Sequence, residues 1–329
     1  MVPLPTGKVS AYELAKIIFP QLEADDERVL IGPGVGIDSS VIEIKEGVLV
    51  LASDPITGAL TSPGKLVVNV NANDVACMGA SPEWFLLNLF LPEGSEKSDM
   101  ESIMSQATSA CKGLGVTIVG GHTEVTPGLD RTLLSGAMVG VARKDEWVSS
   151  AGAKPGDRIL LTKSVAIEGT YIMAMDREKE LSNSLDSEIV EEAKKFLDRL
   201  SVVDEALKAI SVGGVNAMHD PTEGGLVGGL HELADASNVG FSIDRDRIPV
   251  AYETGKICEY LGIDPLLTIA SGSLLISVDP EMADELRKAL LESGIEISDI
   301  GEILRRSEKR VMNGKKLEYP KQDELWRVF

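Results

Sequence analysis

The 329-residue sequence has no Cys-x-x-Cys pair, no long apolar run and few aromatic residues, and each shortage removes a class of protein. Cys77, Cys111 and Cys258 are odd in number and far apart, so they read as buried thiols rather than a disulfide framework or a zinc knuckle. No stretch approaches the ~20 apolar residues of a membrane helix, and Met1 to Gly7 lacks a basic and then apolar leader, which predicts a cytoplasmic protein. Positive charge is short as well. The 32 Lys and Arg stand against 52 Asp and Glu, a formal charge of −20 with no local basic patch, which disfavours nucleic acid and anionic membrane as partners. The same acidity makes a polyphosphate awkward to hold unless a cation accompanies it.

The common nucleotide and hydrolase motifs are missing too. Gly64-Lys65 is followed by Leu66, so no P-loop exists. Gly32, Gly34 and Gly36 lack the dinucleotide fingerprint spacing and lead into a strand where that fingerprint needs a helix. No Gly-x-Ser-x-Gly elbow occurs.

What is present is an alternation of strand and helix patterns along the whole length, which predicts an α+β protein of two domains, residues 1–148 and 149–329. Strands are expected at Val29 to Ile31, Val41 to Ile44, Val48 to Ala52, Trp84 to Leu91, Val116 to Val119, Leu133 to Ala142 and Arg158 to Thr162. A helix is expected from Ser62-Pro63-Gly64 to before Gly79, and another from a Ser98/Glu101 capping box to Gly113 and Gly115. Ser149 to Asp157 reads as the linker, and Asn313-Gly314 as a hairpin turn.

The chemistry is carried by aspartates. Asp38 lies eight positions before Glu46 and Asp54 eight after it, so a hairpin turning at Lys45 to Gly47 returns both to one end of the sheet. Two carboxylates ~5 Å apart repel by about 3 kcal/mol at an effective dielectric near 20, a cost that a divalent cation reverses. Hard oxygen ligands suit Mg²⁺, which takes further ligands from a nucleotide's phosphates. The plain alternative is a pair of turn or cap aspartates. Asn73 and Asp74 sit inside a helical stretch: either they form an exposed polar face with Asn69, or Asp74 joins the same cation. Gly120-Gly121-His122-Thr123 follows a strand and can present N–H groups to phosphate, or can be an ordinary turn. Asp220, Pro221 and Glu223 fit a helix cap, with the helix N-terminus facing an anion as the functional alternative.

Together these segments resemble, in order, the motifs of the aminoimidazole-ribonucleotide-synthetase-related superfamily. Gly34 to Ile42, Ser53-Asp54, Gly64-Lys65, Ala72 to Ala76 with Gly79-Ala80-x-Pro82, and Gly120-Gly121-x-Thr123 match the first domain. Lys154 to Asp157, Gly169-Thr170, Asp220 to Leu226, Gly272 and Leu274 to Ile276 match the second. The resemblance covers nearly the whole chain and is nearest to the hydrogenase-maturation protein HypE. It implies a homodimer whose N-terminal domains pair their sheets, beside a C-terminal α/β sandwich-like domain, with ATP and Mg²⁺ in the cleft. Asp38, Asp54 and Asp74 would be metal and phosphate ligands. Lys65, Asn73, Gly120, Gly121, His122 and Thr123 would line the nucleotide, with Lys65 and His122 as catalytic candidates. Asp220, Thr222, Glu223, Gly224 and Gly225 would meet substrate, and Lys8 would belong to an N-terminal element over the site. The implied activity is ATP-dependent activation or phosphorylation of an amide or carboxylate oxygen on a small or protein-borne acceptor, possible partners including a metallocentre-maturation protein. A kinase of the thiamine-monophosphate type and a nucleotide-binding partner protein of little turnover are the alternatives.

Four departures stand out. Ile37 replaces a first acid found in many members, and His122 an acid found in several branches. Glu223 stands where HypE usually has arginine, and the sequence ends Leu325-Trp326-Arg327-Val328-Phe329 without HypE's final cysteine.

Overall fold

The computed structural model describes residues 12, 14–18, 27–32, 34–58, 61–306 and 309–328; Lys8 lies outside them. Two mixed sheets, each of seven strands, face a shared set of helices. The first contains β1 (Val29–Ile31), β2 (Ser40–Ile44), β3 (Gly47–Ala52), β4 (Pro55–Ile56), β5 (Ser81–Leu91), β6 (Thr117–Val125) and β7 (Leu133–Ala142). Its order is β1-β2-β3-β7-β5-β6, with β4 also on β7. All pairs are antiparallel except β5 with β6, which are joined by the crossover helix α2 (Lys97–Leu114).

The β2–β3 hairpin closes as its alternation requires: Ile44 pairs with Gly47 and Ser40 with Leu51, so Asp38 and Asp54 leave from the same end. Helix α1 (Pro63–Cys77) starts with Pro in its first turn, where the missing N–H costs nothing. It packs on the face of the sheet where β-carbons at Gly136 and Gly140 would strike Asn71 and Val75. All but one of its residues are buried, so the expected exposed face at Asn69 and Asn73 is a correction: they are 5% and 0% exposed. Helix α2 is capped reciprocally by Glu96 and Asp99, two positions ahead of the Ser98/Glu101 box that the spacing suggested, and stops at left-handed Gly115.

The second sheet runs β14-β13-β10-β12-β8-β11-β9, from β8 (Arg158–Thr162) and β9 (Val215–His219) through β10 (Gly240–Ile243), β11 (Leu275–Val278), β12 (Ile297–Leu304) and β13 (Arg310–Met312) to β14 (Lys315–Lys316). Only β10 with β13 is parallel. Asn313 and Gly314, with φ of 47° and 73°, make the two-residue turn between the last two strands. Helices α3 (Ile167–Asp176), α4 (Glu178–Ser184), α5 (Ser187–Lys194), α6 (Val203–Val212), α7 (Gly225–Ala236), α8 (Tyr252–Leu261) and α9 (Ala283–Glu292) complete this half.

One apolar core runs through both halves, from Val41 and Val50 across Leu66, Val68 and Met78 to Leu160 and Ile276. Among the described residues no helix is long and apolar enough to cross a membrane.

Candidate functional site

Four aspartates meet where the two halves join. Asp38 lies in the loop before β2, Asp54 just after β3, Asp74 on the last turn of α1, and Asp220 immediately after β9. The carboxyl of Asp74 hydrogen-bonds that of Asp54. Burial, reinforced by the negative charge of Asp54, Asp220 and Asp38, pushes the Asp74 pKa well above the ordinary carboxylate value. Asp220 is 1% exposed and is pushed up to about 7, first by burial and then by Asp38. One of its oxygens, Oδ2, has no hydrogen-bond partner. Like charges concentrated out of water, with an orphaned carboxylate oxygen among them, suit a hard divalent cation such as Mg²⁺. The expected trio of Asp38, Asp54 and Asp74 is not, however, the set whose donor atoms lie within 4.8 Å of one another: among the described residues that set is Asp38, Asp220 and Cys77.

Asp38 is held from two sides. Nδ1 of His219 donates to its Oδ1 at 2.6 Å, and the Ser150 hydroxyl donates to its Oδ2 at 2.7 Å. The other ring nitrogen of His219 donates to Glu232 at 3.1 Å. Burial pulls the His219 pKa down, but the two carboxylates outweigh it and hold the imidazole well above its ordinary value, as an imidazolium. His219 was not singled out as a site residue from the sequence; its position beside Asp220 at a strand end was the signal that could have found it. Cys77 was missed as well. Its thiol, 3.6 Å from Oδ1 of Asp220, is pushed upward by burial and the surrounding aspartates.

The other predicted residues divide. Asn71 accepts from the Asp54 N–H and donates to the Asp54 carbonyl, fixing that loop. Asn73, expected to line the nucleotide, instead spends its amide on the Leu200 carbonyl (2.9 Å) and the Val202 N–H (2.9 Å), and clamps α1 to the other half. Lys65 pairs with Asp198 at 2.6 Å, so its charge is committed on the surface of this protomer. Gly120, Gly121, His122 and Thr123 are not a strand-end turn: β6 continues through them to Val125, on the exposed edge of the sheet. They pair with Leu86 to Leu89, and Gly136, whose N–H donates to Asp54, is the β7 neighbour of Leu87. Gly121 thus lies two strand spacings, about 10 Å, beyond Gly136 within one protomer. His122 instead meets Glu124 at 3.1 Å.

Asp220, Pro221 and Glu223 do not cap α7, a second correction. The helix starts at Gly225 with Gly224 as N-cap. The chain bends here through φ of 83° and 62°, and a β-carbon on Gly225 would come within 2.6 Å of the Leu266 carbonyl. The Gly224 N–H donates to Asp323 at 2.7 Å, so this helix entrance already holds a carboxylate. Nearby Glu168, 4% exposed at the start of α3, is pushed up to about 7 by burial, with Asp323, Glu223 and Asp54 adding to it.

Residues 36–142 match the AIR synthase related protein N-terminal domain, and residues 154–313 match its C-terminal domain. The chain belongs to the AIR synthase related family. It is 31% identical over 267 residues to carbamoyl dehydratase HypE of Rhizobium leguminosarum bv. viciae, covering 78% of this chain and 73% of that protein. In fold it is similar to the hydrogenase maturation protein HypE solved in complex with ATP (TM-score 0.74, 23% identity, 97% of each chain). It is also similar to AaThiL complexed with AMPPCP and TMP (TM-score 0.77, 23% identity, 95% of this chain and 96% of that one).

Proposed function

We propose that this AIR synthase related protein binds ATP as its magnesium complex in the cleft and uses it to activate or phosphorylate an amide-type oxygen of an acceptor during hydrogenase or other metallocentre maturation. The observation that carries the reading is the burial of Asp74 among the charges of Asp54, Asp220 and Asp38, with one buried oxygen of Asp220 left unpartnered. Bound magnesium would neutralise triphosphate charge and polarise the phosphoryl group. The HypE relatives and the HypE–ATP structure lend the nucleotide and the pathway.

The protein's own groups supply position and exclusion. Asp54 is tied by both backbone atoms to Asn71, and Asp38 by its carboxylate to His219 and Ser150, so the donors arrive with little freedom left to lose. Beside Asp54, Glu168, Glu223 and Asp323 add a further acidic cluster, and the Gly224 amide is already engaged. To the extent these groups are ionised, such a cluster favours a neutral amide over a carboxylate or a phosphate ester. A kinase of the thiamine-monophosphate type would have to bring an anion past it.

Calorimetry tests the reading. Mg·ATP should bind the wild-type chain, and Asp54→Asn and Asp74→Asn should each weaken it about tenfold or more, roughly 1.4 kcal/mol. Unchanged affinity in both variants defeats the assignment. With binding established, neutral amides should stimulate ATP turnover more than carboxylates of the same size.

A further inference from the structure

Cys77 has no task in the scheme above, yet it occupies a particular place. It is the last residue of α1, three positions after Asp74, and it is fully buried. Its sulfur, a carboxylate oxygen of Asp38 and one of Asp220 all lie within 4.8 Å of one another. We propose that Asp38, Cys77 and Asp220 form a binding site for a thiophilic divalent transition ion of the Zn²⁺ class, bridging the two halves of the molecule.

Three features support this. The first is the orphaned Oδ2 of Asp220, a residue 1% exposed, which among the described residues has nothing to accept from. The second is the ligand set. A tetrahedral ion with bonds of about 2.0–2.3 Å gathers one sulfur and two oxygens by modest side-chain rotation and leaves a fourth position for solvent. A thiolate ligand favours zinc, cobalt or ferrous ions and disfavours magnesium, which prefers oxygen alone.

The third is the outer support. Asp38 is oriented by the His219 ring (2.6 Å) and the Ser150 hydroxyl (2.7 Å), and the ring in turn is fixed by Glu232 (3.1 Å). Hydrogen-bonded partners of this kind are what hold metal-ligating carboxylates in place. On binding, the metal–sulfur bond forms as the S–H bond breaks and its proton leaves to solvent. The inference goes beyond the Mg·ATP reading but shares Asp38 and Asp220 with it; the sulfur of Cys77 belongs to the inferred site alone and Asp54 and Asp74 to the nucleotide reading alone, so variants at those residues separate the two.

The test uses the metal-free full chain and Co²⁺. Wild-type protein should develop a near-ultraviolet sulfur-to-cobalt charge-transfer band at one equivalent, displaced by Zn²⁺ and retained in a large excess of Mg²⁺. Cys77→Ser should lose the band, and Asp220→Asn should weaken cobalt binding about tenfold or more. X-ray absorption of the zinc-loaded wild type, which needs no variant to fold, should show one sulfur among oxygen neighbours. An all-oxygen shell, a band that survives Cys77→Ser, or displacement by Mg²⁺ at equal concentration overturns the proposal. Cobalt spectra with a sulfur band but no Mg·ATP heat would instead count against the nucleotide reading alone.

Discussion

At the scale of single residues, the cleft keeps protons that ordinary carboxyls release. Glu168 is pushed up to about 7 and Asp323 to about 6, in both cases chiefly by burial. A carboxyl whose folded pKa exceeds its unfolded one binds more protons in the native state. Its stabilising contribution is complete below the unfolded value and is lost as pH rises through the folded value. Metal-free protein should therefore gain stability as pH falls from about 8 to about 5, in the window those two values set. For Glu168 the span is at most about 3.5 kcal/mol, from 1.36 kcal/mol per unit. Glu168→Gln should flatten the dependence; an equally steep melting-temperature profile in that variant refutes the attribution. That Asp38 and Asp54 leave the sheet at the same end was legible in the sequence because a hairpin with two-residue periodicity fixes which ends meet. Asp220 and Cys77 were not placed with them. Their approach depends on how one half docks on the other, which no local pattern encodes.

Among the elements, α1 was legible in extent but misread in environment. Its polar residues Asn69 and Asn73 look like a wet face by spacing, and each, like Asn71 between them, instead satisfies backbone atoms inside the protein. Asn73→Ala should leave a buried carbonyl and a buried N–H unpaired, costing about 2–5 kcal/mol in urea unfolding. A loss below about 0.5 kcal/mol would show that the clamp is dispensable. The start of α7 was misread for a related reason: Asp220-Pro221 and Glu223 have the residue types of a cap, but the left-handed turn at Gly224 and Gly225 delays the helix. Gly225→Ala would drive a β-carbon into the Leu266 and Thr268 backbone, at 2.6 Å and 2.7 Å from their oxygens. It should destabilise the fold by about 3 kcal/mol or more, read by thermal unfolding against the cleaner Gly255→Ala, where nothing lies within 4 Å.

For the whole molecule, the first sheet leaves an open face. Opposite α1, β5 presents Trp84 and Leu86, β7 presents Ala137, Val139 and Val141, and β3 presents Leu49 and Leu51. Trp84 and Leu86 are 40% and 42% exposed, and Val119 and Val125 on the edge strand 55% each. An apolar sheet face of this kind calls for a partner, and we expect the homodimer that the family resemblance implies. Sedimentation should find a dimer in the wild type and a monomer in Leu86→Glu. If the wild type is monomeric at micromolar concentration, that arrangement is wrong.

Residues 323–328 cross from one half to the other. Asp323 fastens to Gly224, the Trp326 ring lies where a β-carbon on Gly58 would come within 3.1 Å, and the Val328 carbonyl accepts from Arg177 at 3.1 Å. The segment thus stitches the Gly58 loop of the first half to Gly224 and Arg177 of the second, and the stitch is anchored by a carboxyl that ionises only near the upper edge of mild acidity.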